Sequence, residues 1–131
     1  MYLIDTDILV FLLRGNRRVA ETMADHAADP KAMSVITYGE LLYGAAKSTR
    51  PVENAAKARR LCQLFPLIDV SGEIVETFAP LKAELERRGE RLEAADLLVA
   101  ATALHVSYTL VTNDVKHFRR IPGLLVENWA E

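Results

Sequence analysis

The stretch Asp96–Ala103, read Asp-Leu-Leu-Val-Ala-Ala-Thr-Ala, constrains this chain more than any other. After its first residue it is small and apolar, which suits a buried helix. With a helix start near Leu92, the residues Leu92, Asp96, Val99 and Ala103 fall on one face, at i, i+4, i+7 and i+11. The apolar members of that face need a core. An ionised carboxylate placed in a core is costly unless it is paired or binds a metal. Three other carboxylates are candidates to meet it: Asp5, Glu40 and Asp114.

A chain of 131 residues reads as a single domain over 1–131, large enough to bury about two-thirds of its unfolded surface. Its formal net charge of -2 gives no global signature of a polyanion binder, so any such site must be a local patch. Cys62 is the only cysteine. That excludes an internal disulfide and a cysteine zinc cluster, and fits a reducing cytoplasm. Met1 leads straight into the strand-like Tyr2-Leu3-Ile4, from which no signal peptide is expected. No apolar run reaches membrane-spanning length.

Taken in order, Tyr2–Ile4 reads as a buried parallel strand, followed by the polar Asp5-Thr6-Asp7 and a helix closed near Gly15. A second helix is expected from Arg17 to Ala28, with Val19, Met23 and His26 or Ala27 inward, stopped by Asp29-Pro30. Ala32–Ile36 reads as strand two. Thr37 and Glu40 have the spacing of a capping box opening the next helix, which runs to about Lys47. Pro51 suits the first turn of a helix ending at Leu64. Pro66–Val70 reads as a short strand. Ser71 caps a helix from Gly72 to Arg88 that Gly89 ends. The helix bearing Asp96 follows, then strand Tyr108–Thr112, a helical turn at Val115–Phe118, and a last edge strand at Leu124–Val126. Strands alternating with helices argue for an α/β domain around a mostly parallel sheet of four to five short strands. The carboxyl ends of such strands share a rim, where open parallel sheets place their sites.

Asp5 and Asp114 each follow a strand, Glu40 lies in the turn after strand two, and Asp96 opens the inward helical face. Carboxylates a few ångströms apart cannot all stay ionised without a compensating cation. An all-oxygen site without Cys or His fits Mg²⁺, with Mn²⁺ as the alternative. One or two such ions activate a water and stabilise the departing oxygen in phosphodiester hydrolysis.

Each acid also has an ordinary structural reading. Asp5 suits a helix cap, Glu40 the capping box with Thr37, and Asp114 an Asn-Asp turn. Asp96 is hardest to explain this way, because its face is otherwise apolar. Asp7 faces the same strand end as Asp5, or else serves as a first-turn acid on the helix dipole. His26 and His105 read as surface or packing residues. His117 lies among Lys116, Arg119 and Arg120, a cluster that suits phosphate or simply a solvated face. Arg14, Arg17 and Arg18 carry the same two readings. Trp129 reads as a packing anchor for the tail.

Four blocks of this chain resemble the PIN-domain proteins, specifically the VapC toxins of bacterial type II toxin–antitoxin pairs. They are Met1–Leu9; Ser34–Gly44; Asp96–Ala101; and Leu110–Phe118 with Ile121–Leu124. The blocks come in the expected order and span nearly the whole chain. The resemblance implies an α/β/α sandwich and an endoribonuclease dependent on Mg²⁺ or Mn²⁺. It implies that Asp5, Glu40, Asp96 and Asp114 form the acidic, metal-holding site, with Asp5 and Asp96 the most dependable ligands. Thr6 and Thr112 become positioning groups, and a basic rim drawn from Arg14, Arg17, Arg18, Lys116 or Arg119 would position substrate. It further implies a homodimer, a small VapB-type antitoxin, and structured RNA, often transfer RNA, as substrate.

The chain departs from the family at two places. Asp7 stands where Asn is common, and Leu92-Glu93 replaces a frequent Ile-Gly before Asp96. Two competing functions remain. The run Asp5-Thr6-Asp7-Ile8-Leu9 approaches the opening of haloacid dehalogenase-like phosphatases, but Leu9 breaks that pattern. A catalytically silent PIN-fold binding module would keep fold and partner and cleave nothing; the presence of all four acids argues against it.

Overall fold

The computed structural model describes residues 1–131. Strands β1 (Tyr2–Ile4), β2 (Lys31–Ser34), β3 (Leu67–Ile68), β4 (Thr109–Val111) and β5 (Val126–Glu127) form one sheet in the order β3-β2-β1-β4-β5, every pair parallel. Between them run α1 (Thr6–Leu13), α2 (Arg17–Asp25), α3 (Val35–Ala46), α4 (Pro51–Leu64), α5 (Gly72–Arg87), α6 (Ala94–Val106) and α7 (Val115–Phe118). This is the element order expected from the sequence. No helix is long and apolar enough to cross a membrane.

The sheet is covered on both faces because successive strand residues point to opposite sides. Ile4, Met33 and Val111 pack with Ile8, Val19 and Leu61, from the helices α1, α2 and α4. Their neighbours Leu3, Ala32 and Leu110 pack with Leu85, Val99, Ala103 and Phe118, from α5, α6 and α7. The result is the expected α/β/α sandwich. Adjacent apolar residues such as Leu3-Ile4, Ala32-Met33 and Leu110-Val111 are what such double burial requires.

Four local expectations are corrected. Strand two stops at Ser34, whose Oγ accepts the Ile36 N–H at 3.0 Å, so Val35 and Ile36 begin α3 rather than ending β2. The Thr37–Glu40 capping box therefore does not form: Thr37 is already inside the helix, fully buried, with its hydroxyl unpartnered. The helix carrying Asp96 starts at Ala94 after Glu93, which leaves Leu92 outside it. Instead of one inward face, α6 buries Leu97, Val99, Ala100, Ala101, Thr102 and Ala103. A helix apolar all round belongs inside a protein. Helix α2 is also shorter than expected and ends at Asp25.

Trp129 is the tail anchor the sequence suggested. It is buried, its ring stacks on His26 at 4.5 Å, and Tyr2 meets it edge-on at 5.0 Å.

Candidate active site

The site is built on the pairing of β1 with β4. Their register sets Ile4 opposite Val111, so Asp5 and Thr112 leave the sheet side by side. Asp5 caps α1 by accepting the Thr6 N–H on Oδ1 at 2.9 Å. Its Oδ2 accepts the Thr112 hydroxyl at 2.8 Å. The capping reading and the site reading of Asp5 thus describe one residue. With Asp5 only 7% exposed, burial pushes its carboxyl up to about 7; the Asp7 and Asp96 charges add to this, and the bonds from Thr112 and Thr6 oppose it.

Asp96 lies in the first turn of α6 and is half-buried. Burial comes first in pushing it up to about 6, followed by the charges of Glu40, Asp114 and Glu93, while His117 pulls it down. Glu40 is exposed and accepts the Thr6 hydroxyl at 2.7 Å, so α1 rather than Thr37 orients it. Asp114 precedes α7. Its backbone N–H donates to Thr112 Oγ at 3.0 Å, and its Oδ1 meets His117 Nδ1 at 2.5 Å. Thr112 therefore serves two acids at once, donating to Asp5 and accepting from the backbone of Asp114.

Asp7 is a further member. Its Oδ1 accepts the Ile8 N–H at 2.8 Å and its Oδ2 the Asn113 N–H at 3.1 Å, tying α1 to the loop after β4. Burial raises its pKa. The sequence flagged Asp7 by position, but its partner lies 106 residues away and no local pattern reveals it.

Asp5, Glu40, Asp96 and Asp114 thus lie at one edge of the sheet, where the Asp96 charge adds to the rise of the Asp5 carboxyl and the Glu40 and Asp114 charges add to that of Asp96, but no three of the chain's acidic or imidazole groups converge tightly enough to ligate one ion together. That arrangement suits Mg²⁺, which keeps several waters and binds through one or two carboxylates. No lysine or arginine is bonded to Asp5 or Asp96, and His117 eases the charge at Asp96. The donor set fits a hard divalent cation.

The cations fall differently from the expected rim. Asp96 and Asp114 open into a cleft of about 570 Å³ shared with Lys82, Arg91 and His117. Glu40 opens into another, of about 360 Å³, with Arg14, Lys47 and Lys57. Lys116 and Arg119 line a separate hollow beyond Asp114. Arg18 is tied to the chain end, its Nε donating to the Glu131 carbonyl at 2.8 Å. Lys82 escaped the sequence reading because only the packing of α5 on α6 brings it beside Asp96, whereas Arg91 sits in the loop just before α6, five residues from Asp96.

A family model described as the PIN domain matches residues 2–124. The ribonuclease VapC2 of Rickettsia felis is 34% identical to this chain over 98% of both proteins. The tRNA(fMet)-specific endonuclease VapC of Salmonella typhimurium is 27% identical, again over 98% of both. Among solved structures, VapBC2 from Rickettsia felis, bound to a DNA fragment from its promoter, aligns with a TM-score of 0.92 at 33% identity and 98% coverage of each chain.

Proposed function

The chain belongs to the PIN domain family, and on that premise we propose that it is the ribonuclease toxin of a VapBC-type toxin–antitoxin pair. The observation that carries the chemistry is the buried Asp5 carboxylate, held by the Thr112 hydroxyl, with the half-buried Asp96 near enough for its charge to add to the rise of Asp5 and no lysine or arginine of the chain bonded to either. Asp5 and Asp96 would hold Mg²⁺ or Mn²⁺, with Glu40 and Asp114 completing the site. When bound, such an ion supplies an acidified water for attack on a phosphodiester and positive charge for the departing oxygen. Thr112 fixes the Asp5 carboxylate, and Thr6 holds Glu40 towards the rim. Both bonds are made without substrate, so these acids need little rearrangement on binding.

The substrate is RNA. Transfer RNA is the class favoured by likeness to the Salmonella typhimurium enzyme, and its location would make the site of action cytoplasmic. A VapB-type antitoxin is the expected partner, by likeness to the Rickettsia felis complex, and the toxin works as a homodimer of single-domain chains. The family match leaves the haloacid dehalogenase-type reading without support.

The test is cleavage of a total small-RNA pool by the purified chain with Mg²⁺, with Mn²⁺ and with EDTA, beside Asp5→Asn and Asp96→Asn. Discrete products that need metal and vanish in both variants are expected. Products that persist in Asp96→Asn would refute the site. An intact pool under all conditions would favour the silent binding module.

A further inference from the structure

The register of β4 with β5 sets Val111 opposite Glu127, and the Thr112 N–H donates to the Glu127 carbonyl at 2.9 Å. The residues after this ladder bond, Asn113 and Asn128, therefore leave the sheet together, at the edge where the acids lie. Asn128 Oδ1 accepts the Ala130 N–H at 2.9 Å, which closes a local turn. A backbone N–H can bond only the oxygen of that amide, so Nδ2 is the group left facing Asn113. It donates to Asn113 Oδ1 at 3.1 Å, the one bond that the Asn113 side chain makes. The Asn113 N–H in turn donates to Asp7 Oδ2, and Asp114 follows it in the chain. Asn128 is itself held. Its neighbour Trp129 is buried, donates its indole N–H to Glu127 Oε1 at 3.0 Å, and stacks on His26. His26 is steadied by Asp29, whose Oδ2 meets its Nδ1 at 2.7 Å. A run of contacts thus leads from the packed end of α2 to the turn beside the acids.

We infer that Asn128 is a positioning residue of the acidic site, fixing the Thr112-Asn113-Asp114 turn from outside while Trp129 fixes Asn128. The Thr112 hydroxyl closes that turn from within; Asn128 supplies the only side-chain contact to its middle residue. Without Asn128 the Asn113 peptide is free to tilt, its N–H leaves Asp7, and Asp114 loses its aim at the rim. Groups that orient ion-holding side chains typically matter roughly tenfold or more to ion affinity or activity. This rests on the ribonuclease reading above. It adds to that reading a residue that bears no charge and lines neither the Glu40 cleft nor the Asp96 cleft.

The test combines calorimetric titration with Mn²⁺, without RNA, and steady-state cleavage of the fastest-cut RNA of a total small-RNA pool. It compares the unsubstituted chain with Asn128→Ala, Asn113→Ala, the double variant, and Ser71→Ala, which loses the α5 cap and is bonded to none of these groups. Asn128→Ala lowers kcat by roughly five- to tenfold with KM little changed, and weakens Mn²⁺ binding by a similar factor. Asn113→Ala does the same. The double variant is no worse than Asn113→Ala, because Asn128 acts through that residue. Ser71→Ala lowers Tm and moves neither quantity. The emission of Trp129, the only tryptophan, is the same in Asn128→Ala as in the unsubstituted chain. Unchanged kcat and Mn²⁺ affinity in Asn128→Ala overturn the inference, as do losses that multiply in the double variant or that Ser71→Ala reproduces. A red-shifted Trp129 emission in Asn128→Ala also overturns it, since the residue would then hold its own segment and not the turn. Should the unsubstituted chain cut no RNA, the ribonuclease reading fails, while the Mn²⁺ affinities still decide the role of Asn128. Absence of Mn²⁺ binding by the unsubstituted chain overturns both.

Discussion

The Thr112 hydroxyl donates to Asp5 Oδ2 at 2.8 Å, a buried bond between residues 107 apart in sequence. The same oxygen accepts the Asp114 N–H. Thr112→Val keeps the shape and removes both bonds, leaving a buried carboxylate without its donor. The expected cost is about 1–3 kcal/mol in denaturant unfolding, with cleavage reduced. Thr112→Ser should restore most of both. A Val variant as stable and as active as the unsubstituted chain would show that this bond positions nothing.

Asp5 moves from an ordinary 3.8 to about 7 on folding, and Asp96 from 3.8 to about 6. Between those limits the folded chain holds more protons than the unfolded one. Their contribution to stability is therefore complete below about pH 4 and is lost as pH rises to about 7. In EDTA, the Tm of Asp5→Asn should gain on that of the unsubstituted chain between pH 5 and pH 8. A gap independent of pH would contradict the burial-driven shift of Asp5.

Metal should close that gap. An ion held by Asp5 and Asp96 binds the folded chain alone and stabilises it by mass action. Adding Mg²⁺ or Mn²⁺ at pH 8 is expected to raise the Tm of the unsubstituted chain by several degrees and that of Asp96→Asn hardly at all. Calorimetric titration with Mn²⁺ should give heat for the first protein only. Equal responses in the two would place the ion elsewhere.

Thr37 offers an independent check on the packing. Its hydroxyl is buried and without a partner, which costs stability unless something outside the chain satisfies it. Thr37→Val keeps the β-branched shape and should stabilise the free chain by about 1 kcal/mol. Destabilisation would show that the hydroxyl has a partner, and cleavage kinetics on the variant would then tell whether it matters to the reaction.

Much of this molecule was legible in the sequence because its signals are local. The apolar runs Tyr2-Leu3-Ile4 and Leu110-Val111, the caps at Ser71 and Asp5, and the stop at Gly89 with its φ of +69 all act within a few residues. Boundaries failed where two local signals competed. Val35 and Ile36 have strand propensity, yet Ser34 caps a helix over them, and tertiary burial decided for the helix. The partners of the site acids were not legible. Glu40 takes its bond from Thr6, 34 residues away, and Asp7 takes one from Asn113, 106 away. Such pairings depend on strand order, to which the sequence carries no short-range pointer. Asp96 was found by a face that does not exist as drawn, since Leu92 is outside the helix. What the structure keeps is a carboxylate at the head of an apolar helix, Asp96 in the first turn of α6.

The pairing of β1 with β4 has a consequence in time. Asp5 is made before the residue that secures it, for the Thr112 hydroxyl comes 107 residues later. The central strand of the sheet must wait for its neighbour, so the nascent chain has no assembled catalytic rim for most of its synthesis. A product released before β4 lacks Thr112 and Asp114, carries at most three of the four acids and should have no assembled site. On the toxin reading proposed above, the site is assembled only once β4 has been made, when an antitoxin already present would meet a finished rim.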